Sequence, residues 1–547
     1  MRNYTWLLFL LFSFGLHAET FYIVHFTDKR DNGFSIREPE KFLSPEAILR
    51  RQREGVAIFN DDLPVSASYV QAVLQWPVTF QYALKGENAA VFRGPAGLQQ
   101  NLRQLGCVKS VKEVEVQRTN RPSKFASEEQ QLKSASFKDI PLSYYGNAAN
   151  QLQMLGLEQL HRRGYQGQGV RISMMDNGFF GAPNNHAFDS VFQTGRLLRT
   201  YNFVRNNSDV FSAGGHGLST WSCIAANLPE KMVGTAPSAE FMLFVTEDDQ
   251  SETILEEYNW ARAAEVADSM GAEVLSTSLG YTTFDASDSA NSHKYSDLNG
   301  NSTPITRAAN RAASKGMLVI NSAGNEGNSP WYFISAPADG DSVIAVGAVD
   351  KDGHYAVFSS HGPNAAGKMK PDLCAQGAGT TVVNTAGIVT YSNGTSFSCP
   401  VLAGAFACLR QAFPEKTNRE LQLAVQESAN YAHQPNYQYG YGIPNFESAY
   451  FRLKHPEWFI PTANQEAVRI WPNPIDNYLE VAIGEKVSTG WHRLHICNSN
   501  GTEVLAKTVF RETAGFQVVT MQEVADLPAG NYFIFWDNQK AKQFLKR

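Results

Sequence analysis

Two hydrophobic rhythms alternate along this chain. Between residues 20 and 117, FYIVHF (21–26), WPVTFQYALKG (76–86), AAVFRG (89–94) and CVKSVKEVEVQ (107–117) carry β-branched and aromatic residues at strand spacing. SPEAILRRQREG (44–55) opens on a serine cap and a proline and closes on glycine. PAGLQQNLRQLG (95–106) also ends in glycine, so both segments predict helices. The expected unit is a small α+β domain of order β-α-β-β-α-β. From 143 to 452 the pattern changes. GVRISMMD (169–176), AEFMLFVT (239–246), AEVLSTSLG (272–280), GMLVINSAGN (316–325) and DSVIAVGAVD (341–350) are nearly continuous apolar runs. Such runs predict strands covered on both faces. Helical stretches at 253–271 and 305–316 lie between them, which predicts an α/β domain with a parallel sheet. Sheets of that kind hold ligands at the carboxyl ends of their strands.

Three further segments complete the organisation. Residues 118–142 are polar and lack an apolar face, so they predict an exposed linker where proteolysis would concentrate. Residues 465–547 return to short strands punctuated by NG and DN pairs, an all-β module. At the start, Arg2 precedes the apolar run WLLFLLFSFGL, and Ala18 follows. A charged start, a short apolar core and a small residue predict a secretory signal peptide over 1–18.

Composition narrows the function classes. Hydrophobic residues make up 43% and charged residues 18% of the 547, enough for real cores. The formal net charge is -6, so nothing favours nucleic acid as a partner. The six cysteines include no C-x-x-C pair, which excludes zinc ribbons and thioredoxin-like motifs and leaves mostly buried free thiols as the expectation.

The polar residues with chemistry fall at strand ends and helix starts. Ser396 stands in NGTSFSCP, a turn that feeds an apolar helix. Helix N-termini favour developing negative charge, although a serine there is also an ordinary cap. His216 follows two glycines at another helix start, and Asp176 closes the strand VRISMM. Each alone reads equally as structural. Together they supply a hydroxyl nucleophile, an imidazole to take its proton and a carboxylate to orient the imidazole, in the chain order Asp, His, Ser. Asn325, in NSAGNEG directly after a strand, adds an amide donor for an oxyanion.

With MMDNGF at Asp176, GGHG at His216, STSLG (276–280), SAGNEG at Asn325, FSSHGP (358–363), KPDLCAQG (370–377) and NGTSFSCP at Ser396, the block 143–452 resembles the subtilisin-family serine proteases. The resemblance implies a subtilisin-like α/β fold, a parallel sheet flanked by helices. It implies Ser396 as nucleophile, His216 as general base then acid, Asp176 as its orienting partner and Asn325 as oxyanion donor. Ser278, Leu279 and Gly280 would pair with substrate backbone, Gly324 would lie beside the pocket, and Glu326 would stand at its mouth. The chemistry would need no cofactor and no catalytic metal. The sequence departs from the family pattern at Asn177 and Leu218, where Ser or Thr is usual, and at Ser398, where Ala is common.

The other domains carry resemblances of their own. The 20–117 unit is similar to inhibitor-type propeptides, which implies a zymogen whose own propeptide blocks the cleft and is cut off near 117–142. WPNPIDNYLEV, HICNSNGTEV and LPAGNYFIFW resemble the sorting domain of the type IX secretion system of Bacteroidetes. That implies the secretion machinery as a partner and a secreted or outer-membrane cell-surface location. Protein or peptide substrates follow from the protease resemblance. GPNAAGKM (362–369) resembles a phosphate-binding loop but has Met369 where a hydroxyl is needed. DLNGNST (297–303) departs from a calcium loop, yet the acidic insertion holding Asp285, Asp288 and Asp297 remains a candidate for structural calcium. Two competing functions stand beside this one: a pseudoprotease that binds peptides or surface partners without cleavage, and an adhesin-like surface protein whose β tail mediates binding.

Overall fold

The computed structural model describes residues 18–30, 32–119, 142–459, 468–484, 487–511, 517–537 and 542–547. The expected signal peptide and most of the 118–142 linker lie outside these residues, except that Ala18 already begins a strand. The chain divides into two compact units, one ending at Phe446 and the other spanning Glu447–Arg547.

The N-terminal domain contains β1 (Ala18–Phe26), α1 (Pro45–Glu54), α2 (Ala67–Val73), β2 (Thr79–Leu84), β3 (Ala89–Gly94), α3 (Gln99–Arg103) and β4 (Val108–Gln117). The four strands form one antiparallel sheet of order β2-β3-β1-β4. The expected β-α-β-β-α-β order is present, with α2 as an additional short helix. β1 shows why its alternation is weak. Tyr22, Val24 and Phe26 face one core with Val73 and Leu102, while Phe21 and Ile23 face a second. Successive side chains point to opposite faces, and both faces are covered. The second face packs on the next domain.

That domain is built on seven parallel strands: β5 (Arg171–Asp176), β6 (Leu197–Asn202), β7 (Glu240–Val245), β8 (Val274–Thr277), β9 (Leu318–Ser322), β10 (Ile344–Val349) and β11 (Leu373–Gln376). Their order is β11-β10-β9-β8-β5-β7-β6. The five strands expected from apolar runs are all present and trimmed at their ends. The two that the pattern misses, β6 and β11, are the edges: β6 is mostly half-buried and carries polar residues, and β11 is only four residues long although buried throughout. Three helices matter for the site: α4 (His216–Ala225), α5 (Ile254–Ser269) and α7 (Thr395–Ala412), with α6 (Pro304–Ser314) beside α5. α7 is buried from Thr395 through Arg410 and lies against β8–β11. The order of strands reverses direction at β5, whose carboxyl end is therefore the switch point where such sheets bind ligands.

The face of α5 turned away from the sheet is covered by the N-terminal domain. Asp268, on the last turn of α5, is buried and receives Arg50 at 2.5 Å, Arg51 at 2.8 Å and Lys85 at 2.9 Å. Glu265 accepts the Lys85 and Gly86 backbone N–H groups at 2.8 Å each, and Tyr82 donates to Asn259 at 2.5 Å. Burial would raise the Asp268 pKa, yet Lys85, Arg50 and Arg51 together hold it well below the usual carboxylate range.

The second unit contains β12 (Val468–Trp471), β13 (Leu479–Ile483), β14 (Gly490–Asn498), β15 (Glu503–Arg511), β16 (Gln517–Met521), β17 (Gly530–Trp536) and β18 (Lys542–Lys546). They form a three-stranded sheet, β12-β13-β16, and a four-stranded one, β15-β14-β17-β18. One core that includes Leu479, Val481, Leu494, Ile496, Ile534 and Phe544 joins them as a sandwich. Among the described residues no helix is long and apolar enough to cross a membrane. All six cysteines are free, four of them buried, as the composition suggested.

Candidate active site

Asp176 ends β5 and is 1% exposed. A buried carboxylate must be neutralised or hydrogen-bonded. Here Oδ1 accepts the Asn177 N–H at 2.8 Å and faces His216 Nδ1 at 2.7 Å, while Oδ2 accepts the Thr220 hydroxyl at 3.1 Å. Because a carboxylate can only accept, the His216 Nδ1 carries the proton and Nε2 is left as the acceptor in the neutral ring. His216 and Thr220 lie four residues apart on α4, so one helical face presents both to the same carboxylate. Glycine at 217 is required for this approach: a Cβ there would lie 2.8 Å from the Asp176 Cβ and closer still to the Gly178 carbonyl.

Ser396 occupies the second position of α7, where the backbone N–H groups lack helical partners. The His216 ring lies 5.9 Å from that of Phe397, the next residue along α7. Ser396 is itself 7% exposed, and its carbonyl accepts the Ser278 hydroxyl at 2.7 Å. Gly394, with φ +148°, precedes this turn. A Cβ on Gly394 would touch Asn325 Nδ2 and Ser396 N, each at 3.6 Å. Both donors therefore border one small space. Asn325 is held for that purpose: its Oδ1 accepts the Thr395 N–H and the Thr395 hydroxyl, both at 2.9 Å, which turns Nδ2 the other way. Asn325 is exposed, so its amide is open to a ligand.

Two glycines beside these groups pack closely on serine side chains. A Cβ on Gly280 would collide with Ser335 Oγ, and one on Gly324 (φ +107°) would lie 2.8 Å from Ser360 Oγ and 3.2 Å from Ser335 Oγ. The two glycines thus face a pair of serine hydroxyls. Ser335 Oγ is buried without a hydrogen-bond partner among the described residues. Of the three residues expected to pair with an extended ligand, Gly280 is exposed, whereas Ser278 and Leu279 are buried. The Leu279 carbonyl already accepts from Asn321 at 3.0 Å. Glu326 directs its carboxylate to the Ser329 hydroxyl and its N–H to Ser360 Oγ at 3.0 Å.

Sequence reasoning did not single out Thr220, Thr395, Ser335 or Ser360. Only Thr220 had a readable signal, its spacing from His216. Nor did it foresee what Asn177 does. The Asn177 Oδ1 accepts the Gly217 N–H at 3.2 Å, and its Nδ2 donates to Asp249 at 3.0 Å. Asn177 thus ties the end of β5 to the start of α4. The carboxylates of the acidic insertion have backbone partners. Asp288 accepts the Ile254 N–H at 2.7 Å at the start of α5, Asp285 accepts the Glu252 N–H at 2.8 Å, and Asp297 accepts the Lys294 N–H at 2.8 Å. These carboxylates cap backbone rather than converge as an ion cage. Among the described residues, the acidic groups that do converge are Glu247, Glu252 and Glu256, and Asp350, Asp352 and His354.

Comparison with known proteins covers all three regions. Residues 167–442 match the family described as the Subtilase family. Residues 21–133 match the Peptidase S8 propeptide domain, Bacteroidota, and 469–547 match the Secretion system C-terminal sorting domain. The thermostable alkaline protease of Halalkalibacterium halodurans is 27% identical over 293 residues, 53% of this chain and 70% of that protein. Subtilisin E of Bacillus subtilis is 29% identical over 294 residues, 53% of this chain and 68% of that protein. Subtilisin of Bacillus pumilus is 29% identical over 294 residues, 94% of its own length.

Proposed function

This chain belongs to the subtilase family, and from that premise we propose that Asp176, His216 and Ser396 hydrolyse peptide bonds in a protease made as a self-processing zymogen. The coarser facts are plain: it is a serine-type endopeptidase with a Bacteroidota propeptide domain and a secretion-sorting tail, secreted or displayed on the cell surface. The observation that carries the finer reading is the 2.7 Å contact of His216 Nδ1 with buried Asp176, with the same ring against the helix start that bears Ser396.

The mechanism follows from these groups. His216 Nε2 takes the Ser396 proton as Oγ adds to the substrate carbonyl carbon, and the imidazolium is stabilised by Asp176. The carbonyl oxygen becomes an oxyanion between Asn325 Nδ2 and the Ser396 N–H. His216 then returns the proton to the leaving amine, which departs and leaves an acyl-enzyme. Water, deprotonated by His216, adds to the ester, and Ser396 leaves with the proton. No cofactor enters these steps. Gly280 and Gly324 form the walls of the pocket for the side chain before the cut, with Glu326 beside it. Ser278, Leu279 and Gly280 offer their main chain to the substrate backbone as an added strand.

The domain limits of the proposal are a signal peptide at 1–18, a propeptide at 20–117, a processing linker at 118–142, a catalytic domain at 143–452 and a sorting domain at 465–547. The propeptide is the enzyme's own inhibitor, and the tail engages the type IX machinery. Intact mass of the secreted protein, wild type beside Ser396→Ala, tests the reading. Loss of residues up to the linker in wild type alone is the expected result. Identical cutting of both would show that another protease matures the chain.

A further inference from the structure

The propeptide's last described residues lie on the candidate catalytic domain in an informative way. Thr119 N–H donates to the Gln250 carbonyl at 2.9 Å, a backbone bond of the kind an added strand makes. One residue earlier, the Arg118 guanidinium donates from Nε to Asp248 Oδ2 at 2.6 Å. The Asp248 carboxylate is 13% exposed with Arg118 in place. The next residue, Asp249, is bonded to Asn177, the neighbour of Asp176. Across the cleft, Tyr281 follows Gly280 and donates to Glu247 at 2.6 Å, so the edge 247–250 is fixed to the wall that carries Gly280. This edge is therefore tied to the neighbours of Asp176 and Gly280, and it already holds the backbone of Thr119 and the cation of Arg118.

The second partner of Arg118 is Glu19, on β1 of the propeptide itself. When the propeptide leaves, Arg118 and Glu19 leave together. Asp248 then stays behind on the enzyme without the guanidinium that neutralises it. A partly buried carboxylate without a cation is unfavourable, and a charged hydrogen bond restores the balance. Residues 118–119 open the 118–142 linker, so a self-cut beyond Thr119 leaves them upstream of the broken bond, on the propeptide fragment.

Resting on the catalytic reading above, we propose that Asp248 is a specificity-determining residue: the edge Asp248–Gln250 selects peptides with Arg or Lys at one position upstream of the cleaved bond. The propeptide presents Arg118 there as a substrate-like occupant.

The test uses the mature enzyme and a peptide library that varies each upstream position among Arg, Lys, Ala and Glu. Wild type is expected to cleave the Arg peptide about 10-fold faster in kcat/KM than the Ala peptide at one position, the Glu peptide being slowest. Asp248→Asn should bring the Arg-to-Ala ratio to within about 2-fold, and Asp248→Arg should reverse the order toward Glu. The wild-type ratio should also shrink as salt is raised, a readout that needs no variant. A flat wild-type profile, or a basic preference that survives Asp248→Asn, overturns the proposal while leaving the protease intact. Cleavage of no peptide, with no labelling of Ser396 by a fluorophosphonate, overturns the catalytic reading and this proposal with it.

Discussion

Asp268 is the most exacting point of the interface between propeptide and enzyme. It is 3% exposed and balances Arg50, Arg51 and Lys85, all of which come from the propeptide. Asp268→Asn keeps the shape and an acceptor oxygen but removes the charge. Three cations then meet a neutral amide in a buried place. Arg51 retains Asp62 at 2.9 Å, and Arg50 retains the carbonyls of Ala272 and Lys315, so part of the set stays satisfied. Breaking a buried pair by removing one partner costs about 3–5 kcal/mol. At tenfold per about 1.4 kcal/mol, the propeptide should bind roughly 10²- to 4 × 10³-fold more weakly. The assay starts from Ser396→Ala zymogen nicked by trypsin in the linker, which separates the two pieces covalently without self-digestion. Dilution followed by size exclusion gives the dissociation constant with and without Asp268→Asn. A shift under about 5-fold would refute the reasoning, since it would mean that the cations are satisfied elsewhere.

The pH dependence of the same complex has a definite sign. The folded pKa of Asp268 is depressed, so its stabilisation is fully present above the unfolded value of about 3.9 and is lost as pH falls through the lower folded value. Asp268 should therefore contribute no pH dependence to propeptide binding between about pH 5 and 8, which titration of the nicked complex checks. Asn325→Leu should lower kcat by about 10²–10³, the range for a side-chain donor of this kind in subtilisin, with a smaller change in KM. Thr395→Val removes one of the two hydrogen bonds that hold Asn325 Oδ1, leaving the backbone N–H of residue 395, and removes the acceptor of the Gly324 N–H, so kcat should fall about 10-fold through misplacement of the amide. Burial raises the thiol pKa of Cys223, Cys374, Cys399 and Cys408, that of Cys399 to about 12. Iodoacetamide at pH 8 should modify none of these four until the protein is denatured, as peptide mass mapping would show.

What the sequence made legible, and what it hid, follows from distance along the chain. Asp176, His216, Ser396 and Asn325 were readable because each sits where an apolar run meets a glycine-rich turn, a local signal. Arg50 and Arg51 were not. In SPEAILRRQREG they look like the solvated face of a helix, yet both are buried, because their partner lies more than two hundred residues away. α5 posed the same difficulty in reverse. Glu256, Glu257 and Asp268 break any amphipathic pattern, and all are buried since the helix is covered by the sheet on one side and by the propeptide on the other. The carboxylates at 285, 288 and 297 each accept a backbone N–H, a partner that the sequence does not show.

The burial of α7 has a consequence for timing. Ser396 sits on the helix that packs against four strands of the sheet, and Asp176 and Asn325 lie at or just beyond the ends of strands that meet only when that sheet is closed. Before closure there is a serine, a histidine and two side chains scattered over 220 residues, and nothing that attacks an amide. On the catalytic reading proposed above, a chain that has not yet folded is therefore harmless to itself and its neighbours.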